Sequence, residues 1–112
     1  MTPVLIPHTW VLILSAVLFA IGTLGVLLRR NGIAIFLSLE IMLNSANLAF
    51  AAFAMFFASQ PGMAAAAVSG QLFVFFVIGV AAAEAAVGLA IFIALHRLKQ
   101  SIDVDRAYIL RW

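Results

Sequence analysis

The stretch IAIFLSLEIMLNSANLAFAAFAMFFA, residues 33–58, is long enough to cross a bilayer, yet it carries a glutamate and two asparagines. An α-helix needs about 20 apolar residues to traverse a hydrocarbon core of about 30 Å. Positions i, i+4 and i+7 share a helical face, so Glu40, Asn44 and Asn47 form one polar stripe on an apolar cylinder. A carboxyl at bilayer depth costs roughly 2.5–3.5 kcal/mol on insertion scales, and such groups face protein or water rather than lipid. The stripe therefore has two readings: polar glue between helices, or part of an ion or proton route.

Two further runs flank it. Residues 9–28 form the first, ending at Arg29, Arg30, Asn31 and Gly32; residues 71–96 form the third, ending at His96 and Arg97. Ser59, Gln60, Pro61 and Gly62 close the middle run. The small residues 63–70 leave three assignments open: loop, short surface helix, or the first turns of span three. The second and third runs exceed the minimum length, which implies some tilt. Only 9% of the 112 residues are charged and 67% are hydrophobic, against about 25% charged in soluble domains. Mean hydropathy is +1.25. The chain reads as an all-α integral membrane protein: one domain over residues 1–112, three transmembrane helices and a tail over 97–112. The first run reads as an uncleaved span, because residues 1–7 hold no Lys or Arg.

Charge placement gives the orientation. Arg29 and Arg30 lie between spans one and two, and Arg97, Lys99, Arg106 and Arg111 follow span three. All basic residues fall on one side, so the positive-inside rule puts the N-terminus outside and the C-terminus in the cytoplasm. The net charge is only +2, and orientation explains the basic residues better than nucleic acid does. Trp10, Tyr108 and Trp112 fit interfacial anchors. The tail is too short to fold alone and is expected to lie against the cytoplasmic face of something larger.

Span three carries a second acid, Glu84, inside AAAEAAVGLA, residues 81–90. Ala81, Ala85 and Gly88 share its face, and small residues serve either close helix packing or water beside a carboxylate. Gly22 and Gly25 of span one, with Ser15 on the face of Gly22, read as packing sites. At 1.5 Å per residue Glu40 lies ~15 Å beyond Arg30, and Glu84 lies ~20 Å before Arg97. On antiparallel helices both acids fall in the middle third of the bilayer, about a turn apart in depth. No Lys or Arg within the spans holds them ionised. Three helices are too few to wrap a wet route around both acids, so the chain reads as an obligate subunit.

The absence of cysteine excludes disulfides and thiol metal sites. His8 and His96 stand at span ends with no companion ligands, and no phosphate loop, nucleotide fingerprint or Ser/His/Asp set occurs.

The pair Arg29-Arg30 with Asn31, the run LEIMLNSANL at residues 39–48, and GQLFVFFVIGVAAAEAAVGLAIFIALHR at residues 70–97 resemble subunit K of bacterial NADH-quinone oxidoreductase. Mitochondrial and photosynthetic complexes contain counterparts. The resemblance covers nearly the whole chain. It implies a three-helix subunit of the membrane arm of respiratory complex I, in the cell inner membrane. Glu40 and Glu84 then match two buried glutamates in a chain of polar residues joining the quinone region to antiporter-like pumping subunits. Asn44 and Asn47 support that path, and Arg29 and Arg30 match a basic pair in the cytoplasmic loop. The run Ala64 to Ala67 implies a second loop longer than the family's.

The resulting expectation is a non-redox subunit of a proton-translocating NADH (or related donor):quinone oxidoreductase. NADH, FMN, iron–sulfur clusters and quinone belong elsewhere in the complex. Its partners are small multi-span and antiporter-like membrane-arm subunits, together with lipid. The principal alternative is a small subunit of a multisubunit cation/proton antiporter. A stand-alone multidrug exporter fits less well, having four spans and its acid in the first. A purely structural scaffold predicts that neutral substitution of both acids has no effect.

Overall fold

A computed structural model of the chain describes residues 6–99. They form three helices: α1 (His8–Leu28), α2 (Gly32–Ala58) and α3 (Ala64–Lys99). Each is long and apolar enough to cross a membrane, and no strand occurs among the described residues. The expected placement of the tail, including Arg106, Tyr108, Arg111 and Trp112, lies outside the described residues.

Local chemistry sets the boundaries. Pro7 precedes α1, and its carbonyl accepts the Trp10 amide at 3.0 Å. Proline suits a helix start because its missing N–H would be unpaired there anyway. Arg29 leaves the helix in extended conformation. Asn31 restarts the chain as an N-cap, its Oδ1 accepting from the amides of Ile33 at 2.9 Å and Ala34 at 3.3 Å. That satisfies two of the four amides a helix start leaves open. At the far end Ser59 Oγ donates to the Phe56 carbonyl at 2.6 Å, and Gly62 turns the chain at φ +76, a conformation glycine adopts without steric cost.

α3 then begins at Ala64, which settles the open segment. Residues 64–70 are the first turns of the third helix, and the connection shrinks to residues 59–63. The run Ala64 to Ala67 is thus helix, not the extra loop expected from it. With 36 residues, α3 spans ~54 Å at 1.5 Å per residue. That exceeds a hydrocarbon core of about 30 Å, so the helix is tilted or projects beyond the bilayer.

The helices form a single layer. α2 packs along both neighbours, while α1 and α3 scarcely touch. Ser38, Met42, Ser45 and Phe56 of α2 meet α1, whereas Phe36, Phe50 and Ala54 meet α3. At about 100° per residue these sets lie on opposite sides of α2. Buried residues are small: Ser15, Gly22, Ser38, Ser45, Ala52, Ala54 and Ala67 among them. Large side chains point outward; Phe75 and Phe76 are 71% and 70% exposed. In hydrocarbon nothing drives such groups inward, and close backbone approach is the main source of helix association.

The α1–α2 seam follows that logic. A methyl added at Gly22 would stand 2.5 Å from Met42 Cγ and 2.9 Å from the Ser38 carbonyl, and one at Gly25 would overlap Ser38. Ser15 Oγ donates across the seam to the Ser45 carbonyl at 2.6 Å. Ser38 and Ser45 donate within α2, to the carbonyls of Ala34 at 2.8 Å and Met42 at 2.6 Å.

Candidate functional site

Both acids lie at the α2–α3 seam, whose register is set by contacts on either side of them. Ala54 meets Gly70, Phe50 stacks on Phe73 at 5.5 Å between centroids, and the Phe36 ring fills the space beside Gly88. In these antiparallel pairs the residue numbers total 123 or 124. Glu40 and Glu84 also total 124, so the carboxyl-bearing residues stand at one level. The sequence placed them about a turn apart; the register brings them level.

They nevertheless open on different edges of the seam. Ile33 and, further along α2, Ala51, Met55 and Ala58 line grooves on one edge. Glu40 and Asn44 occupy the same helical stripe, seven residues from Ile33 and Ala51 respectively. Glu84 lines a groove on the other edge with Phe36, Val87 and Gly88. It lies about 140° around α3 from Leu89, which belongs to the first edge, at about 100° per residue. Because the helices form one layer, each edge is one face of the molecule. Glu40 is half-buried and Glu84 exposed.

The two asparagines differ in surroundings. Asn44 is exposed and its Nδ2 donates to the Glu40 backbone carbonyl at 2.9 Å, so its amide is tied to its own helix. Asn47 is half-buried, and its Oδ1 is enclosed without a hydrogen-bond partner. An unpaired amide oxygen in an apolar interior is costly, so this atom calls for a donor, from water or a neighbouring chain. Among the described residues no hydrogen bond or ion pair engages the carboxyl of Glu40 or Glu84.

Ala81, Ala85 and Gly88 are half-buried against α2. A methyl on Gly88 would overlap the Phe36 ring, so Gly88 serves packing. Ala81 and Ala85 themselves contribute only methyl groups to the seam near the acids. Arg29 and Arg30 are exposed in the turn between α1 and α2. Sequence reasoning missed Ser38 and Ser45, whose spacing of seven marks one face, because hydroxyls that bond their own helix leave little trace in hydropathy.

His8, against Phe56, and His96, in the groove that reaches Ile33, stand at opposite ends of the layer. Among the described residues no three His, Asp or Glu side chains gather as a metal site.

A layer of three membrane helices with level acids and unburied outer faces defines a membrane subunit built to be completed by other chains. The sequence pattern of NADH-ubiquinone/plastoquinone oxidoreductase chain 4L matches residues 10–112. The chain is 52% identical to NADH-quinone oxidoreductase subunit K 2 of Geotalea uraniireducens, over 90% of this chain and 93% of that one. It is 54% identical to subunit K 2 of Geobacter metallireducens, over 89% and 92%. Identity to subunit K of Roseiflexus castenholzii is 50%, over 96% and 99%. The chain belongs to this family of complex I membrane subunits, and other complex I subunits are its partners.

Proposed function

We propose that this chain is a non-redox subunit of the membrane arm of a proton-translocating NADH (or related donor):quinone oxidoreductase, in which Glu40 and Glu84 are two stations of the relay coupling quinone reduction to pumping. The observation that carries the reading is their common level on opposite faces of one layer. A group on a neighbouring chain can exchange protons with Glu40 from one side, and a group on another chain with Glu84 from the other. The route then runs sideways through the layer, past the small residues Ala81 and Ala85, rather than across the membrane. The enclosed, unpartnered oxygen of Asn47 supports water or a donor on the same stripe, about two turns along α2 from Glu40. In this reading the N-terminus faces outward and Arg29 and Arg30 face the cytoplasm. The subunit sits in the cell inner membrane between small multi-span and antiporter-like subunits. NADH, FMN, iron–sulfur clusters and quinone are bound by other chains.

The test is Glu40→Gln in the assembled complex, which removes the titratable group with little change in volume. Protons translocated per quinone reduced should fall sharply while the complex remains intact. An intact variant with the normal ratio would falsify the relay. Co-purification with iron–sulfur and quinone-site subunits separates this function from that of a small antiporter subunit.

A further inference from the structure

We propose that the end of the layer where α2 begins and α3 finishes is a binding site for one anionic phospholipid, with its headgroup on Arg97 and His96 and its two acyl chains straddling Ile93. Two troughs meet there. The first, about 410 Å³, is lined by Ile33, Leu89, Phe92 and Ile93, with His96 and Arg97 at its mouth. The second, about 540 Å³, runs along Ala90, Ile93, Ala94 and Leu98 and also reaches Arg97. Ile93 and Arg97 are common to both. Ile93 is therefore a ridge between two apolar channels, and Arg97 is the cation at which they converge.

The order of residues along α3 matches the order of chemistry across a membrane surface. Leu89, Phe92 and Ile93 give way to His96 and Arg97 within one turn, about 5.4 Å further along the axis. The Phe92 ring is braced against Phe36, at 5.8 Å and 76° between rings, so one wall of the first trough is held in place. The start of α2 lies at the same end, with Ile33 in the trough wall, and its dipole adds positive potential. Basic pockets between membrane helices recognise anionic lipid headgroups. An acidic segment of a partner protein would also suit Arg97. It would not suit two troughs that are apolar along their length and open along the side of the helix.

The experiment uses the whole complex in vesicles of phosphatidylcholine carrying a trace of lipid with a photoreactive group in its acyl chain. The probe is phosphatidylglycerol in one arm and phosphatidylcholine in the other, and adducts are mapped by mass spectrometry. Residues 89–94 should be labelled roughly fivefold more by the anionic probe, the ratio that about 1 kcal/mol per basic side chain near a membrane surface implies. Arg97→Gln should remove the preference and Arg97→Lys should retain most of it. If Arg97→Gln fails to assemble, excess unlabelled phosphatidylglycerol should suppress labelling of the wild-type complex where phosphatidylcholine does not. Equal labelling by both probes overturns the site. So does absence of labelling because a neighbouring subunit, including one that offers an acidic segment, covers these residues.

Discussion

Along the α1–α2 seam each buried hydroxyl is satisfied: Ser15 bonds the Ser45 carbonyl, and Ser38 and Ser45 bond their own helix. Gly22 and Gly25 bring the backbones close enough that a methyl group would collide. The α2–α3 seam is held differently. Aromatic pairs clamp it on either side of the acids, Phe36 with Phe92 and Phe50 with Phe73, while Asn47 Oδ1 stays unpaired between them. One helix thus presents a closed face and an unfinished one. A polar group left unmet in hydrocarbon is costly, so the unfinished seam is where completion by other subunits, and proton traffic, are to be sought.

The largest effect should come from removing chemistry at the unfinished seam. Glu40→Gln should lower coupled proton translocation by roughly a hundredfold, the lower end of what a positioned proton-transfer group contributes. Quinone-dependent acidification of vesicles would read this, with assembly checked on native gels. A parallel loss of assembly would mean that Glu40 is structural and would erase the contrast between the seams.

The closed seam should break by bulk. Gly22→Val meets Met42 and the Ser38 carbonyl, and overpacking of this kind costs about 1–3 kcal/mol. The amount of assembled complex should fall, while the pumping ratio of what remains stays normal. Substitution at Gly79, where an added methyl meets nothing within 4 Å in this chain, gives the matching control: a loss there would reveal a neighbouring helix.

Asn47→Leu sharpens the comparison. Replacing an unpaired polar group by an apolar one of similar size can be neutral or stabilising, so thermal stability of the complex should hold or rise. Pumping should fall, by less than in Glu40→Gln. A stability loss with unchanged pumping would show that Asn47 is glue. The smallest effect is expected for Ser15→Ala, about 0.6 kcal/mol, the average for interhelical hydrogen bonds in membranes. Thermal unfolding of the complex would detect it, with no change in pumping.

Much of this was legible in the residues. Run length and hydropathy gave the three spans, Asn31 and the Pro61-Gly62 pair marked the turns, and the isolation of Glu40 and Glu84 singled out the candidate site. The start of α3 was not legible, because residues 63–70 are small and carry no stop signal. Nor could spacing tell whether Gly88 lay beside water or a ring; Phe36 decided that from another helix.

The sequence by itself determined that three helices are long and apolar enough to cross a membrane and that two of them carry a carboxyl far from either end, because burying charge in hydrocarbon is costly enough to make any exception informative. Only the tertiary structure decided which side of α2 faces α1, that Glu40 and Glu84 stand level, and that they open on opposite faces. The reason is the solvent. In water, the apolar stripe of a helix points to its neighbour; in lipid, apolar side chains suit both the lipid and the seam. Register and facing therefore rest on side-chain fit, Phe36 over Gly88 and Ala54 beside Gly70, and hydropathy cannot express that.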